Sequence, residues 1–151
     1  MLSLDWSKVY NRVNFDWLSY VLRKYGFLPN IISVLEWCFY NRTAMVSVDQ
    51  NEAHIQICQG VPQGDPIALL LYVLALEPML TTAKTEIAGI TNSNGRIHNT
   101  AYTDDTSFFL KNMTEVLKLQ KLLDLYLTVS GAIINWDKSK LTPLSTYNDH
   151  N

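Results

Sequence analysis

The sequence predicts an α+β fold in which an antiparallel sheet carries helices packed on one face. Three observations favour this class. Strand-like and helix-like segments follow one another without regular alternation, two pairs of strand-like segments each enclose a polar turn, and the longer segments place apolar residues at helical spacing. A length of 151 residues corresponds to one domain with one core, and 48% apolar with 17% charged residues is a globular composition.

The first 40 residues predict a strand followed by two helices. Residues 2–5 have the pattern of the end of a strand, and an amphipathic helix follows from Asn14, a residue type that commonly caps a helix N-terminus. This helix is expected to end at Gly26, since glycine readily adopts the left-handed conformation that closes a helix. A second helix is expected after Pro29.

A hairpin and a core helix are predicted next. Residues 44–48 and 54–57 alternate apolar and polar side chains around the polar residues 49–52, the pattern of two strands joined by a turn. A helix is then expected to begin near Pro66. Its apolar run, residues 67–76, is well short of the roughly 20 residues that cross a bilayer, so we expect a buried helix and no membrane contact.

A second hairpin is predicted around an acidic tip. The turn at residues 93–95 precedes two strand-like segments, residues 96–102 and 106–110, which flank the pair Asp104-Asp105. The acidic residues are therefore expected in the turn that joins these strands.

The C-terminal part predicts one more helix and a short strand. The helix is expected over residues 114–130, where apolar side chains recur at helical spacing, and Gly131 is expected to close it. A short strand through Lys140 and Leu141 follows.

Charge and cysteine content exclude several functional classes. A net charge of −2 and an isoelectric point near 5.8 argue against a protein that holds nucleic acid by bulk positive charge, so other segments are expected to supply most of any such affinity. Cys38 and Cys58 form no CxxC pair, and the three histidines lack the spacing of zinc ligands. We expect reduced, buried thiols. The N-terminus lacks the pattern of a signal peptide, which favours intracellular residence without distinguishing cytoplasm from nucleus.

Three acidic residues are the candidates for chemistry. Asp5 ends the first strand and Asp104-Asp105 lie at a hairpin tip, positions that neighbouring strands of one sheet can bring together. Converging carboxylates favour a hard dication such as Mg²⁺, and two such ions clamp the attacking and leaving oxygens in phosphoryl transfer. The alternative is structural, because aspartate is a good turn residue and an Asp-Asp pair taken alone is more often a turn than a site.

Four motifs occur in order along the chain. They are Leu4-Asp5 with Tyr10, Gln63-Gly64 within residues 60–66, Tyr102 to Asp105, and Gly131 to Ser139. This order resembles the first palm motif, the second motif, the YxDD box and the fourth motif of reverse transcriptases, the RNA-directed DNA polymerases. Residues 60–66, 74–78 and 130–139 are similar to those of the non-LTR (LINE-type) retrotransposon branch of the family. The resemblance covers nearly the whole chain, from Leu2 to about Leu141.

The resemblance implies a two-metal site for nucleotidyl transfer. Asp5 and Asp104 would hold two Mg²⁺ ions, with Mn²⁺ as a possible substitute. Asp105 would complete the acidic cluster, and the carbonyl of Trp6 would add a ligand. Lys138 would protonate the departing pyrophosphate, although an exposed lysine in a charged loop is the commoner meaning of such a residue.

The resemblance also implies substrate contacts. Tyr10 would place its ring beneath the sugar of the incoming nucleotide and obstruct a ribose 2′-OH, although a core tyrosine is nearly as common at such a position. Gln63 and Gly64 would meet nucleotide and template, since glycine permits close backbone approach. The same glycine could simply turn the chain into the following helix.

Four positions depart from the usual LINE-type pattern. Asn11 replaces an acid, Pro62 an arginine, Thr103 an alanine, and Ala68-Leu69 a Ser-Pro pair. None of these changes removes a predicted metal ligand. The departures suit a truncated, drifting copy of a mobile element.

Residues 1–151 are therefore expected to be a partial reverse transcriptase domain, a palm that largely lacks fingers and thumb. Completed by those parts, it would take an RNA template, a DNA primer and dNTPs, with no small-molecule cofactor. One alternative is a catalytically inactive retroelement remnant that acts at most as an interaction module. Another is a different two-metal phosphotransfer enzyme, such as a nuclease or a cyclase. Gln63-Gly64 together with Tyr10 favours a polymerase over the latter, because neither is needed to hold metal.

Overall fold

A computed structural model describes residues 1–40, 42–49, 51–93 and 95–144. Its elements are β1 (Leu2–Asp5), a 3-10 helix (Val9–Arg12), α1 (Phe15–Lys24), α2 (Pro29–Tyr40), β2 (Thr43–Val48), β3 (Asn51–Gln56), α3 (Pro66–Glu86), β4 (Ile90–Asn92), β5 (Gly95–Ile97), β6 (Asn99–Tyr102), β7 (Asp105–Phe108), α4 (Met113–Ser130) and β8 (Lys140–Leu141).

The main sheet has four antiparallel strands in the order β6-β7-β1-β8. The strand that opens the chain, β1, therefore lies between two strands from its C-terminal half. Two separate hairpins, β2–β3 and β4–β5, complete the strands of the described residues. The predicted α+β class with an antiparallel sheet is confirmed.

The two faces of this sheet differ in chemistry. One face is buried, with Leu4, Thr106 and Phe108 at most 4% exposed, and it joins the core formed with α3 and α4. On the other face the hydroxyl oxygens of Ser3 and Ser107 lie 3.0 Å apart. Because strand side chains alternate between faces, Asp5 and Asp105 belong to this polar face.

The predicted helix ends are confirmed where a residue supplies the missing hydrogen bond. The side chain of Asn14 accepts from the backbone N–H of Trp17 at 2.9 Å, which begins α1. Gly26 follows the end of α1 with φ 79°, and Gly131 closes α4 with φ 74°.

Two predicted strand assignments are wrong, and one predicted turn is not described. The strands of the first hairpin extend to Thr43 and Asn51, which tightens the predicted four-residue loop. The single strand predicted over residues 96–102 is interrupted at His98, whose ring nitrogen contacts the carbonyl of Ile87 at 2.9 Å, so β5 and β6 pair with different strands. Asn94, in the predicted turn at residues 93–95, lies outside the described residues.

Helix α3 also runs further than its apolar stretch, through Pro78 to Glu86. A proline inside a helix removes one backbone donor and disturbs the preceding turn. The carbonyl of Ala75, in that turn, accepts from the indole N–H of Trp17 at 2.9 Å, a long-range contact that ties α1 to α3.

The full length of α3 changes one expectation about membranes. With 21 residues, α3 is long and apolar enough to cross a bilayer, judged by length and composition alone. The apolar run of residues 67–76, taken alone, is too short to cross a bilayer. Eight of its residues are buried in the core formed with α1 and α4, which is the arrangement of a core helix.

The expected burial of the cysteines is wrong. Cys38 and Cys58 are both free and exposed. Cys38 lies on α2, which buries only Ile32 and Phe39, and Cys58 follows the exposed strand β3.

Glu115 is a buried acid that links two parts of the fold. Its two carboxylate oxygens accept from the backbone N–H of Ala88 at 2.9 Å and of Lys111 at 2.7 Å. Asn112 in turn accepts from the N–H of Glu115 at 3.1 Å. The pair resembles a capping box whose acid also fixes the segment that follows α3.

Replacing Glu115 by alanine is expected to lower the free energy of unfolding by about 2 kcal/mol, because two backbone donors lose a charged acceptor. Chemical denaturation measures this difference. The matched change at the exposed Glu86 is expected to stay within about 0.5 kcal/mol. Equal losses at both positions would contradict the assigned role of Glu115.

Candidate functional site

Two of the predicted acids lie opposite each other in the sheet. Asp5 on β1 is the Cα partner of Asp105 on β7. The backbone N–H and C=O of Asp5 bond to the segment on its other side, near β8. The Asp5–Asp105 pair is therefore of the non-hydrogen-bonded type, in which the side chains are closer. Like charges in such a pair are destabilising unless a cation lies between them.

Asp104 occupies the turn beside this pair. It follows Tyr102 and Thr103 in the connection from β6 to β7, and its side chain is exposed. The hydroxyl of Thr103 donates to its carboxylate at 2.8 Å. Thr103 has φ 51°, a conformation that a β-branched residue adopts only under strain, and such strain is common at functional turns.

The three acids suit a hard dication by their chemistry. In the described part of the chain no cation forms an ion pair with any of them, and carboxylate oxygens are the ligands that Mg²⁺ prefers. Their side chains are nevertheless not gathered into a complete ligand set, since no three His, Cys, Asp or Glu residues within the described ranges are arranged to hold a metal ion. Asp5 and Asp105 lie opposite each other in the sheet, whereas the carboxylate of Asp104 accepts a hydrogen bond from the hydroxyl of Thr103.

A cleft connects Asp104 with the predicted substrate residues. Tyr10, Gln63 and Asp104 line it, together with Trp6 and Lys8. The structure therefore brings the first, second and third motifs to one concave surface.

The loop that carries Gln63 is anchored on the segment after β1. The N–H of Val61 donates to the carbonyl of Tyr10 at 2.7 Å, and the N–H of Gly60 donates to that of Val13 at 2.9 Å. Gly60 has φ 85°, and a Cβ there would lie 2.7 Å from the backbone of Asn11. Only glycine allows the backbone at position 60 to lie this close to the backbone of Asn11. This close packing holds the loop so that Gln63 lies beside Tyr10.

Tyr10 is half-buried and rests on a second tyrosine. Its ring centroid lies 5.3 Å from that of Tyr72, which is 4% exposed. The Tyr72 hydroxyl has no hydrogen-bond partner among the described residues. Burial raises the pKa of Tyr72 well above its ordinary value, and nearby Tyr126 and Asp104 act in the same direction. Tyr72 is thus a neutral support beneath the cleft.

Gly64 and Lys138 contribute differently from the other predicted residues. Gly64 has φ 98° and open space where a Cβ would be, so its backbone conformation explains the glycine. Lys138 is exposed, and it is not among the residues that line the cleft.

Two residues of the site were missed by sequence reasoning. Lys8 brings a positive charge to the cleft wall and has φ 52°. Ser139 bonds to the backbone of Asp5. Lys8 lies in the first motif and Ser139 in the fourth, but only the contacts in the folded chain show that they belong to the site.

Trp6, which also lines the cleft, is held in position by its indole N–H, which donates to the hydroxyl of Thr106 at 3.0 Å.

Comparison with protein families gives a match over nearly the whole chain. Residues 1–147 match the family described as reverse transcriptase (RNA-dependent DNA polymerase).

Two curated proteins are similar in sequence. The Transposon TX1 uncharacterized 149 kDa protein of Xenopus laevis is 30% identical over 141 residues, which are 91% of this chain and 11% of that protein. The retrovirus-related Pol polyprotein from type-2 retrotransposable element R2DM of Drosophila melanogaster is 27% identical over 139 residues, covering 90% and 13%. The chain thus spans about a tenth of the length of these relatives.

Two telomerase structures are among the solved structures that are similar in fold. Apo telomerase from Candida tropicalis, truncated from the C-terminal domain, superposes with a TM-score of 0.74 at 16% identity, over 97% of this chain and 31% of that one. Telomerase from Candida albicans in complex with a telomeric RNA fragment gives 0.69 at 14% identity, over 95% and 28%. At such identities the likeness concerns the fold alone.

Proposed function

The chain belongs to the reverse transcriptase (RNA-dependent DNA polymerase) family, and from this premise we propose that it is the catalytic palm of an RNA-directed DNA polymerase. The reaction is transfer of a nucleotide from a dNTP to a primer 3′-OH, with release of pyrophosphate. The observation that carries the proposal is the pairing of Asp5 with Asp105 beside a cleft that Asp104 shares with Tyr10 and Gln63.

The acidic residues have a role in holding metal. Asp5 and Asp104 would hold two Mg²⁺ ions, Asp105 would complete the cluster, and the Trp6 carbonyl would add a ligand. When bound, such ions stabilise the charge that develops on the attacking and leaving oxygens. The Asp5–Asp105 pair supports this role, because two facing carboxylates without a paired cation are a poor choice for stability alone.

The other site residues act on the substrate. Tyr10, supported from below by Tyr72, would lie under the sugar and exclude a ribose 2′-OH. Gln63 and Gly64 would contact nucleotide and template from the loop anchored on Tyr10. Lys138 would give a proton to the departing pyrophosphate as a general acid.

The partners would be an RNA template, a DNA primer and dNTPs. A net charge of −2 leaves few cations to neutralise phosphates, so the chain alone would grip a duplex weakly. Additional segments, comparable to those by which the relatives exceed this chain in length, would supply the affinity.

Asp105→Asn is expected to separate the structural and metal roles of the acidic pair. Without metal, the variant is expected to be more stable than the wild-type chain by about 0.2–1 kcal/mol, because facing like charges are removed. With Mg²⁺, the wild-type chain is expected to gain stability by mass action, and the variant to gain much less. Thermal unfolding with and without Mg²⁺ measures both effects.

Asp49→Asn is the matched control, since Asp49 is an exposed aspartate in the turn of the β2–β3 hairpin. Its response to Mg²⁺ is expected to equal that of the wild-type chain. A wild-type chain that does not respond to Mg²⁺ would favour the inactive interaction module over the polymerase.

A further inference from the structure

The pairing beside β1 is interrupted opposite Asp5. Ser3 pairs with Lys140 on β8, and Trp6 forms an isolated bridge with Ile134. Between these pairs β1 advances by three residues and the other strand by six. The surplus forms a turn over residues 135–139, which faces Asp5 and carries Lys138. A place where one strand carries surplus residues relative to its partner is a β-bulge, and β-bulges commonly adjoin active sites.

This turn holds both polar groups of the Asp5 backbone. The Asp5 N–H donates to the hydroxyl of Ser139 at 3.1 Å, and the Asp5 carbonyl accepts from the N–H of Asn135 at 2.8 Å. The Ser139 hydroxyl donates in turn to the carbonyl of Asn135 at 2.8 Å. The three bonds link Asp5, Asn135 and Ser139 into one connected group.

Ser139 replaces a backbone partner that the bulge removes. In a regular antiparallel ladder, the Asp5 N–H would donate to a carbonyl of the neighbouring strand. The bulge displaces that carbonyl, and a part-buried N–H without an acceptor is unfavourable. The hydroxyl of Ser139 is a suitable substitute because its own bond to Asn135 fixes its direction.

We propose that Ser139 is a positioning residue for Asp5, and that the turn over residues 135–139 makes Asp5 and Lys138 one rigid unit. The backbone N–H of Lys138 also donates to the carbonyl of Asn135, at 3.2 Å, which ties the base of the lysine to the same group. The structural part stands on the hydrogen bonds alone, whereas the consequence for metal rests on the proposed function.

Hydrogen exchange of the Asp5 amide tests the structural part. In Ser139→Ala this amide is expected to exchange on the order of ten-fold faster, because it loses its acceptor. Ser139→Thr keeps the hydroxyl and is expected to retain the wild-type rate. Ser130→Ala is the matched control, since the Ser130 hydroxyl also accepts a backbone N–H in a turn, that of Ala132 at 3.2 Å. Unchanged Asp5 exchange in Ser139→Ala would overturn the proposal.

Mn²⁺ titration of the full chain tests the consequence for metal. Ser139→Ala is expected to weaken Mn²⁺ binding by about ten-fold, the usual effect of removing a residue that orients a ligand. Ser139→Thr and Ser130→Ala are expected to bind as the wild-type chain does. Circular dichroism and the melting temperature of each variant separate local loosening from unfolding.

The outcomes distinguish this proposal from the proposed function. Fast Asp5 exchange with weaker Mn²⁺ binding in Ser139→Ala supports both. Wild-type Mn²⁺ affinity in Ser139→Ala, with affinity lost in Asp5→Asn, would overturn the positioning role and leave the metal site standing. Absence of Mn²⁺ binding by the wild-type chain would overturn the metal site, while the exchange of Asp5 would still decide the structural part.

Discussion

Asp104→Asn is expected to lower the rate of primer extension on an RNA template with Mg²⁺ by a factor of about 10³ or more. A neutral amide is a poor ligand for a hard dication, and Asp104 lines the cleft together with Tyr10 and Gln63. The assay requires a polymerase completed with the flanking segments of a retrotransposon relative, because the chain spans about a tenth of such proteins.

The control for this experiment is Asp49→Asn in the same polymerase. It makes the same chemical change at another hairpin turn, where φ is 55° and asparagine is well tolerated. Extension is expected to be unchanged. Activity that survives Asp104→Asn would remove Asp104 from the catalytic site.

Tyr10→Ala is expected to raise incorporation of ribonucleotides relative to deoxyribonucleotides by about ten-fold or more, equivalent to roughly 1.4 kcal/mol. The ring lies in the cleft with Gln63 and Asp104 and is supported by Tyr72. Its removal opens space for a 2′-OH without touching the acids. Single-nucleotide extension with paired dNTP and rNTP substrates measures the ratio of kcat/KM values.

Tyr10→Phe keeps the ring and is the matched control, with sugar selectivity expected to stay at the wild-type value. If Tyr10→Ala and Tyr10→Phe selected sugars equally well, the ring of Tyr10 would serve only the packing against Tyr72.

Local sequence patterns predicted the helix ends and the class of the sheet, because hydrogen bonds and backbone conformations within a few consecutive residues determine these features. Asn14 and Gly131 mark helix ends through side-chain capping and left-handed backbone, both of which are written in a few consecutive residues. The sheet class followed from alternating segments and polar turns. Family motifs then placed Tyr10, Gln63 and Asp104 on what the structure presents as one cleft.

The remaining features depend on contacts between distant residues. Nothing near Pro78 in the sequence shows that the indole of Trp17 bonds to the carbonyl of Ala75. The sequence alone does not show that Glu115 reaches Ala88, or that Ser139 replaces a ladder carbonyl for Asp5. Such bonds arise only when the strands and helices have packed.

The acidic site shows the same division. The hairpin turn with Asp104 was predictable from turn chemistry, whereas Asp105, which was expected in the same turn, is the first residue of β7. The register that sets Asp5 against Asp105 came from pairing across a hundred residues. The hydrogen bond from the Thr103 hydroxyl to the Asp104 carboxylate, at one of the positions that depart from the LINE-type pattern, is a property of this chain.

The most direct test of the metal site is an anomalous diffraction map from a crystal of the chain soaked with Mn²⁺. The proposed function predicts a peak at coordination distance from carboxylate oxygens of both Asp5 and Asp104, with the Asp104 side chain turned away from Thr103. Mn²⁺ bound elsewhere, or an Asp104 carboxylate that remains on Thr103 while Asp5 binds no ion, would contradict it.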